Sequence, residues 1–194
     1  ESANAELVGV YDVNPKAAEA VAKEFGTKAF ATIRELAEQC EALSVAVPAT
    51  GHHAAAMELM AMNKHILMEK PIAATVAEAE EMVKVAEERG LVFGGGHVER
   101  FNPAMDYLEK HHSNTLFIEA HRLAKYPPPR PGLHRRGTEV SVVLDLMIHD
   151  LDLVLTMVGS DVERFDAVGM PVLSKTEDIA NVRIKFKNGT VANV

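Results

Sequence analysis

The sequence has little cysteine, few aromatic residues and no excess of positive charge. A single cysteine, Cys40, among 194 residues rules out an internal disulfide and is typical of a reducing, cytoplasmic compartment. The formal net charge of -8 argues against a binder of nucleic acids or anionic membranes, since both need a basic face. No apolar run approaches the roughly 20 residues of a membrane span. We therefore expect neither a nucleic acid nor a membrane as partner.

The chain also lacks the local motifs of several enzyme classes. It contains no G-x-S-x-G, no P-loop, no Cys/His nucleophile arrangement, and no H-E-x-x-H or cysteine cluster for a metal. The G-x-G-x-x-G loop of a dinucleotide site is absent as well. In such sites an acidic residue follows the glycines by about 20 positions, but only 11 residues precede Asp12. Because the loop would fall before residue 1, we expect the chain to be a fragment of a longer protein.

What the first half does contain is an alternation of apolar runs and helical patterns with short connections. Four runs are predicted to be strands, and helices with N-caps, capping boxes or C-terminal glycines lie between them. The order predicts parallel strands with right-handed crossovers, and hence a Rossmann-type doubly wound sheet, truncated at its N-terminus, over residues 1–99. The predicted strands are Leu7–Tyr11, Leu43–Val47, His65–Met68 and Leu91–Phe93; the predicted helices follow Asn14-Pro15, Thr32, Gly51 and Thr75.

The second half, residues 100–194, has a different pattern. A short helix follows Asn102-Pro103, and a long apolar helix is predicted over Val142–Val158. Strands are predicted over 115–121, 165–172 and 182–186, and Asn188-Gly189 is a strong hairpin turn. This arrangement predicts an α+β domain with an open, largely antiparallel sheet.

Lys70 stands where a buried strand should end. Pro71 removes a backbone donor and bars Lys70 from helical dihedral angles, so the lysine lies at the C-terminal edge of its strand. Ligands bind at that edge in open α/β sheets, and a lysine there is a positionable charge for proton chemistry. The alternative is a solvated surface lysine before a turn. A cis Lys70–Pro71 bond, which X-Pro sequences tolerate, would aim the lysine inward.

A polar stripe runs along the predicted apolar helix. Asp145, His149 and Asp152 lie at i, i+4 and i+7 and so share one face. His149 suits general acid–base catalysis, with a carboxylate orienting its ring. A satisfied core histidine or an ion pair between domains is the alternative. A metal site is the minority interpretation, because no further ligand cluster accompanies these residues.

Four other places hold candidate ligand-binding residues. Asp12, after a strand, can accept both hydroxyls of an adenosine ribose, although a plain Asp-initiated turn is equally typical of this position. His52 lies at a helix start, where free N–H groups face polar ligands. His97 and Arg100 follow the triple glycine 94–96. The basic loop Arg130–Arg136 could meet a diphosphate, or be a solvated surface loop.

Several of these stretches together resemble one family. The sequence is similar to the glucose–fructose oxidoreductase / inositol dehydrogenase / MocA family in four segments, in order and spacing. The segments are Val47-Pro48-Ala49-x-x-His52, Lys64-His65-Ile66-Leu67-Met68-Glu69-Lys70-Pro71-Ile72-Ala73, Arg100-Phe101-Asn102-Pro103 and Asp145-x-x-x-His149-Asp150. The stretches Gly96–Pro103 and Asp145–Asp152 also look like the branch that contains UDP-N-acetylglucosamine 3-dehydrogenase.

The resemblance implies an NAD(P)-dependent oxidoreductase that acts on a CH–OH group of a sugar, polyol or sugar nucleotide such as a UDP-sugar. It implies that Lys70 and His149 face the reacting carbon and that Asp145 holds the substrate or orients His149. Asp12 would bind the ribose and favour NAD over NADP, because it would repel a 2′-phosphate. The implied cofactor-lining residues are Asp12, Pro48, Ala49, His52, Glu69, Lys70 and Arg100.

Two broader expectations complete this interpretation. A non-catalytic sugar- or nucleotide-binding regulatory protein of the same fold is the alternative to an enzyme, although a sensor needs no proton-transfer pair. An exposed antiparallel sheet face often pairs with its copy, so we expect a homo-oligomer.

Overall fold

The computed structural model describes residues 4–111, 114–126, 128 and 140–194. The chain divides into two compact units whose segments alternate along the sequence. Two short segments that follow strands, Pro48–Thr50 and Glu69–Ala74, group with Gly95–Val194 in the second unit. The first unit contains the residues up to Val47 together with Gly51–Met68 and Thr75–Gly94. A single domain boundary between residues 99 and 100 stays a prediction.

The first unit is built from parallel strands and helices in alternation, as predicted. Strand β1 pairs in parallel with β2, and β3 pairs in parallel with β4 in a sheet of order β3-β4-β5. The Rossmann-type fold class is therefore confirmed. The elements are β1 Gly9–Val10, α1 Pro15–Phe25, β2 Lys28–Ala29, α2 Ile33–Gln39, β3 Ala42–Val45, α3 His52–Ala61, β4 His65–Met68, α4 Val76–Arg89 and β5 Phe93–Gly95.

Helix ends in the first unit follow the capping signals closely. The Asn14 side chain accepts from the Lys16 N–H at the start of α1, and Gly26 ends that helix in the left-handed region with φ 65°. At α4, Thr75 and Glu78 form the complete capping box. At α2 the predicted box is only half formed. Thr32 accepts from the Glu35 N–H, but the Glu35 carboxylate accepts from Ala31 instead of Thr32.

Two features of the first unit differ from the sequence prediction. The two-residue strand β2 was not predicted, because Lys28 and Ala29 are both exposed and carry no apolar pattern. The strand before Lys70 is expected to be buried, but in β4 Leu67 is about half exposed between the buried Ile66 and Met68. The core of this unit is made instead by helix residues and β4, with Leu59, Met60, Met68 and Met82 fully buried.

The second unit carries a four-stranded mixed sheet of order β6-β9-β8-β7. Strands β7, β8 and β9 pair antiparallel, as predicted, while β6 pairs with β9 in parallel. The predicted turn at Asn188-Gly189 connects β8 to β9, with Gly189 at φ 92°. The elements are α5 Pro103–His111, β6 Phe117–Glu119, α6 Ile148–Val158, β7 Val162–Met170, β8 Ile179–Phe186 and β9 Val191–Asn193.

The long helix predicted over Val142–Val158 is regular only in its second part. Val143–Met147 forms a π-helical turn, and the α-helix begins at Ile148. Met147 and Val154 pack with Val182, Ile184 and Phe186 of β8 in one core cluster. The cluster fixes this helix against the sheet, and the helix carries the polar stripe. No described helix is long and apolar enough to cross a membrane.

Candidate active site

Lys70 is the first residue of the site, and it is paired within the second unit. It follows β4, and its Nζ donates to the backbone carbonyl of Asp145 at 2.6 Å and to Asp145 Oδ1 at 2.9 Å. The two side chains are 19% and 28% exposed. The Lys70–Pro71 peptide bond is cis, as the sequence allowed. The alternative of a solvated surface lysine is therefore wrong.

Asp145 reaches Lys70 from the π-helical turn that precedes α6. Such turns recur at functional sites because they widen the helix locally and redirect one side chain. The three residues predicted to share one α-helical face are thus divided between two kinds of helix. Asp145 pairs with Lys70, whereas Asp152, from α6, pairs with Arg100.

His149 lies in the first turn of α6 and is half-buried. Among the described residues its Nδ1, which is shielded from solvent, has no hydrogen-bond partner. Burial is the main cause that lowers the pKa of His149, followed by the positive charges of Lys70 and Arg122; Glu99 opposes this effect and His97 adds to it. A lowered pKa keeps the imidazole neutral near physiological pH, the form that accepts a proton.

Two arginine–aspartate pairs flank His149 on the same helix. Arg122 donates from Nε to Asp150 Oδ2 at 2.7 Å and from Nη2 to Asp150 Oδ1 at 2.9 Å. Arg100 donates from Nε to Asp152 Oδ2 at 2.7 Å, and its Nη2 bonds Asp152 Oδ1. Such two-point contacts have fixed geometry as well as charge. They hold α6 to the segments that carry the two arginines.

His97 lies beside the second of these pairs. Its Nδ1 is 3.7 Å from Asp152 Oδ2 and, like His149 Nδ1, makes no hydrogen bond within the described part of the chain. Its ring packs over Gly95, where an added Cβ would stand 3.3 Å from His97 Cδ2 and 3.3 Å from Ile72 Cγ2. A glycine at position 95 thus lets the His97 ring approach the segment that follows Lys70.

The remaining predicted cofactor residues of the second unit have varied surroundings. Pro48 and Ala49 follow β3, and Ala49 begins a single 3₁₀ turn. Glu69 is exposed, and its carboxylate accepts from the Lys70 N–H at 3.2 Å. Arg100 is engaged with Asp152, as described above. The segments after β3, β4 and β5 therefore supply the second unit with Pro48, Glu69, Lys70 and Arg100.

Asp12 and His52 belong to the first unit. Asp12 is exposed, and its Oδ1 accepts from the Asn14 N–H at 2.7 Å, which is the Asp-initiated turn that the sequence left open. His52 is 1% exposed, and its Nε2 lies 2.8 Å from the carbonyl oxygen of Val47. This bond ties the start of α3 to the end of the preceding strand. The binding roles of both residues stay predictions.

Arg122 and Glu99 were not singled out from the sequence. Arg122 lies 28 residues before Asp150, and no periodic pattern or motif connects the two. The only signal was Asp150, which follows His149 directly within the family-like segment. A carboxylate next to a candidate base, on an apolar helix, indicates a cationic partner elsewhere in the chain.

The chemistry of the donor set fits a redox site for alcohols. A lysine cation held by a carboxylate lies in the same unit as a neutral imidazole, which suits removal of a hydroxyl proton. Among the described residues no group of three or more His, Cys, Asp or Glu side chains is arranged to hold a metal ion. The predicted basic loop, Arg130–Arg136, lies outside the described residues.

Two places in the chain have side chains or backbone whose chemistry suits a dinucleotide. Asp12 is exposed, and its Oδ1 accepts a hydrogen bond within its turn; a carboxylate at this position suits the ribose hydroxyls. Gly94 and Gly95 end β5 and Gly96 follows it, and glycines allow close approach to the backbone.

Comparison with known proteins places these features in context. Residues 1–97 match the oxidoreductase family with an NAD-binding Rossmann fold, and residues 114–194 match the GFO/IDH/MocA C-terminal domain. The chain is 36% identical over all its 194 residues to UDP-N-acetylglucosamine 3-dehydrogenase of Acidithiobacillus ferrooxidans, covering 60% of that protein. It is 34% identical over 170 residues to glucose-6-phosphate 3-dehydrogenase of Bacillus subtilis, covering 81% of this chain and 48% of that one.

A solved structure of the Acidithiobacillus ferrooxidans enzyme superposes with a TM-score of 0.86, covering 98% of this chain and 61% of the other. The chain thus spans about half to three fifths of the length of these relatives. Two domain models in the expected order, together with the shared fold, establish that the chain belongs to the GFO/IDH/MocA family of oxidoreductases, with an NAD-binding Rossmann domain followed by the family's C-terminal domain.

Proposed function

We propose that the whole protein is an NAD-dependent dehydrogenase that oxidises a secondary alcohol of a sugar or sugar nucleotide. The observation that carries the proposal is the Lys70–Asp145 pair, which lies in the second unit together with the half-buried His149. The positive charges of Lys70 and Arg122 lower the pKa of His149, so the neutral imidazole can accept a proton. A protein that only binds a sugar has no need of a held lysine and a neutral histidine.

In the forward reaction His149 takes the proton of the substrate hydroxyl. Lys70 donates a hydrogen bond to the same oxygen and stabilises the negative charge that develops there. Asp145 keeps the ammonium group of Lys70 in position and balances its charge. The bound nicotinamide supplies the acceptor for the hydride that leaves the carbon.

The choice of NAD over NADP rests on Asp12. Its carboxylate would accept the ribose hydroxyls of NAD, whereas a 2′-phosphate would meet a like charge. The expected result is a much lower Kd for NADH than for NADPH, read by fluorescence titration. Asp12→Ser should narrow the difference, and an unchanged preference in that variant would remove Asp12 from the cofactor site.

The substrate class follows from the relatives. The two curated relatives named above carry names that specify position 3 of a hexose unit, one attached to UDP and one phosphorylated. Their names favour a pyranose with a phosphate-bearing group as substrate. UDP-N-acetylglucosamine and glucose 6-phosphate are therefore the first two compounds to assay.

The test of the proposed function is the Lys70→Ala variant of the whole protein. Turnover should fall by roughly three orders of magnitude, while NADH titration by fluorescence gives a Kd close to that of the unsubstituted protein. Lys84→Ala, in the exposed middle of α4, is the matched control and should leave turnover unchanged. Undiminished turnover in Lys70→Ala would overturn the mechanism. Ligand binding with no turnover in the unsubstituted protein would support the regulatory alternative.

The pH dependence gives a second test of His149. The neutral imidazole is the active form for oxidation, so kcat should rise with pH through the pKa of His149 and then stay level. Because that pKa is lowered from 6.5, the rising limb should lie below this value. His149→Asn should abolish the limb together with most of the activity. A rise of kcat with pH that persists in His149→Asn would report the titration of a group other than His149.

We also propose that the protein is a cytoplasmic homo-oligomer. Strand β7 exposes Phe165, which pairs across the ladder with Ile184, and a pocket of about 410 Å³ opens between α6 and strands β7 and β8. An apolar sheet face of this kind is stabilised when a second copy covers it. Light scattering of the purified protein should give a mass that is a multiple of the subunit mass. A monomer at micromolar concentration would contradict this proposal.

A further inference from the structure

We infer that Arg122 is a positioning residue for His149, because it grips the neighbouring Asp150 at two points and places a fixed positive charge near the imidazole. The inference rests on the proposed function, in which His149 is the base. Arg122 does not touch the reacting atoms in this scheme. It acts through the helix and through its charge.

The grip itself is geometrically demanding. Both carboxylate oxygens of Asp150 accept from Arg122, at 2.7 and 2.9 Å, and the carboxylate is only 12% exposed. A planar guanidinium in this arrangement fixes direction as well as distance. Asp150 directly follows His149 in the first turn of α6. Holding one side chain of that turn therefore limits the rotation of the turn and, with it, the direction of the imidazole.

The other end of the grip is anchored in the sheet. Arg122 lies three residues beyond β6, which pairs with β9, and the Ala120 N–H continues that ladder by donating to the Asn193 carbonyl at 2.9 Å. The contact thus links the first turn of α6 to the edge of the mixed sheet. The apolar cluster around Phe186 holds the same helix against the sheet from within. Apolar packing holds the inner side of the first turn, and Arg122 holds Asp150 on its polar side.

The charge of Arg122 acts on His149 directly. The groups that act on the imidazole are Lys70, Arg122 and His97, which oppose its protonation, and Glu99, which favours it. Lys70 is itself paired with Asp145, the acidic residue in the turn that precedes α6. Arg122 is paired with Asp150 and lies 3.8 Å from Glu99. Removing Arg122 leaves both carboxylates unbalanced near His149, so the imidazole gains protons more readily.

The second arginine–aspartate pair provides a matched control. Arg100 grips Asp152 in the same two-point manner on the same helix. Arg100 is nevertheless absent from the groups that alter the pKa of His149. Loss of Arg100 should therefore weaken a helix contact and change the protonation of His149 less than loss of Arg122 does.

The decisive experiment compares Arg122→Gln, Arg122→Lys and Arg100→Gln in the whole protein. The protonation of His149 is read from the exchange of its C2 hydrogen with deuterium, followed by mass spectrometry across a pH series. The kinetic readout is kcat and KM for sugar oxidation across the same series. Circular dichroism establishes that each variant is folded, and NADH titration measures the cofactor affinity of each, which Arg100→Gln lowers if Arg100 lines the cofactor site.

In Arg122→Gln the pKa of His149 should rise, and the rising limb of kcat should move to higher pH with it. At about pH 6 the kcat should fall roughly 10- to 100-fold, with KM changed by less than about threefold. Arg122→Lys keeps the charge but loses the two-point grip, so its limb should stay in place while kcat falls by a smaller factor. Arg100→Gln should move the limb less than Arg122→Gln does.

An unchanged pKa of His149 in Arg122→Gln would overturn the inference on charge. A kcat for Arg122→Lys equal to that of the unsubstituted protein would overturn the inference on the grip, and this variant serves alone if Arg122→Gln does not fold. The deuterium exchange of His149 needs no turnover. A protein without activity on any sugar would thus refute the proposed function, while the exchange data would still decide the role of Arg122.

Discussion

The helix ends of the first unit and the candidate site of the second unit differ in how far along the sequence their polar groups find partners. In the first unit the helix ends are satisfied by side chains two or three residues away, as at Asn14, Thr32 and Thr75. In the second unit the ion pairs join distant parts of the sequence: 75 residues separate Lys70 from Asp145, and 52 separate Arg100 from Asp152. Local bonds form as soon as a helix forms, whereas distant ones need the whole unit to be folded. The helix ends of the first unit are therefore specified by short sequence motifs, whereas the candidate site in the second unit depends on tertiary structure.

The hydrophobic cores of the two units differ in the kinds of residue that fill them. Helix alanines and flexible methionines fill the first core, whereas a β-sheet with one large aromatic residue, Phe186, is central to the second. Methionine adapts to irregular gaps, but an aromatic ring packed on a sheet leaves a defined void when it is removed. Substitutions in the two cores should therefore differ in size of effect.

The largest expected effect is on the stability of the second unit. Phe186→Ala removes a ring that is wholly buried, and the free energy of unfolding should fall by about 3–5 kcal/mol. Met82→Ala, in the first core, should have an effect at the lower end of about 2–5 kcal/mol, because flexible neighbours collapse into the gap. Denaturant titration measures both. Equal losses would show that the two cores are packed alike.

The next effect is on activity and separates a buried ion pair from an exposed one. Asp145→Asn leaves Lys70 without its counter-charge, so kcat should fall roughly 100-fold while NADH still binds. Asp161 also pairs with a lysine, Lys187, at 2.8 Å, but its side chain is 78% exposed. Asp161→Asn should change neither kcat nor stability measurably. A similar loss in both variants would mean that general electrostatics, and not the site, is responsible.

A smaller effect tests the local motifs of the first unit. Thr75→Ala removes one half of the capping box at α4, and the free energy of unfolding should fall by about 1 kcal/mol. Thr75→Ser keeps the hydroxyl group and should recover most of that stability. Thermal denaturation of the three proteins gives the comparison. A destabilised Thr75→Ser would indicate that the threonine methyl group, and not the cap, matters.

The smallest effect lies at the point where the chain passes from one unit to the other. Gly95→Ala would put a Cβ 3.3 Å from both His97 and Ile72, so one of them must shift by a few tenths of an ångström. We expect KM or kcat to change by roughly twofold to fivefold. Gly94→Ala meets only Leu67 Cδ1 at 3.6 Å, an ordinary contact, and should behave like the unsubstituted protein. A larger change in KM or kcat for Gly94→Ala than for Gly95→Ala would show that close packing at Gly95 is not what matters for activity.

Much of the fold could be predicted because its signals are local. Apolar runs gave β4 with its observed bounds, and Asn14, Gly26, Thr75 and Gly90 gave the ends of α1 and α4. Strand β2 escaped prediction because two exposed residues become a strand only when β1 lies beside them. The π-helical turn at Val143–Met147 escaped for a similar reason. Its sequence has an ordinary helical pattern, and the packed structure selects the wider turn.

For the site, the residues could be found one by one but their pairing could not. Lys70 was a candidate because a charge stands at the end of a strand, and Asp145 and His149 were candidates because they form a polar stripe on an apolar helix. That Lys70 bonds Asp145, and that Arg122 acts on His149, depends on contacts between segments that no motif links. Sequence spacing reports which residues share an element, whereas electrostatic coupling depends on distance in space.

The sequence by itself determined the family, the alternation that makes the first unit, and the candidate residues for proton transfer. Hydrophobic period, caps and turns are properties of neighbouring residues, so they are legible in one dimension. The tertiary structure decided which carboxylate holds Lys70, which charges lower the pKa of His149, and that Arg122 bonds the neighbouring Asp150. Those properties arise from burial and from charges brought together by the packing of α6 on the mixed sheet, and they exist only once that packing is complete.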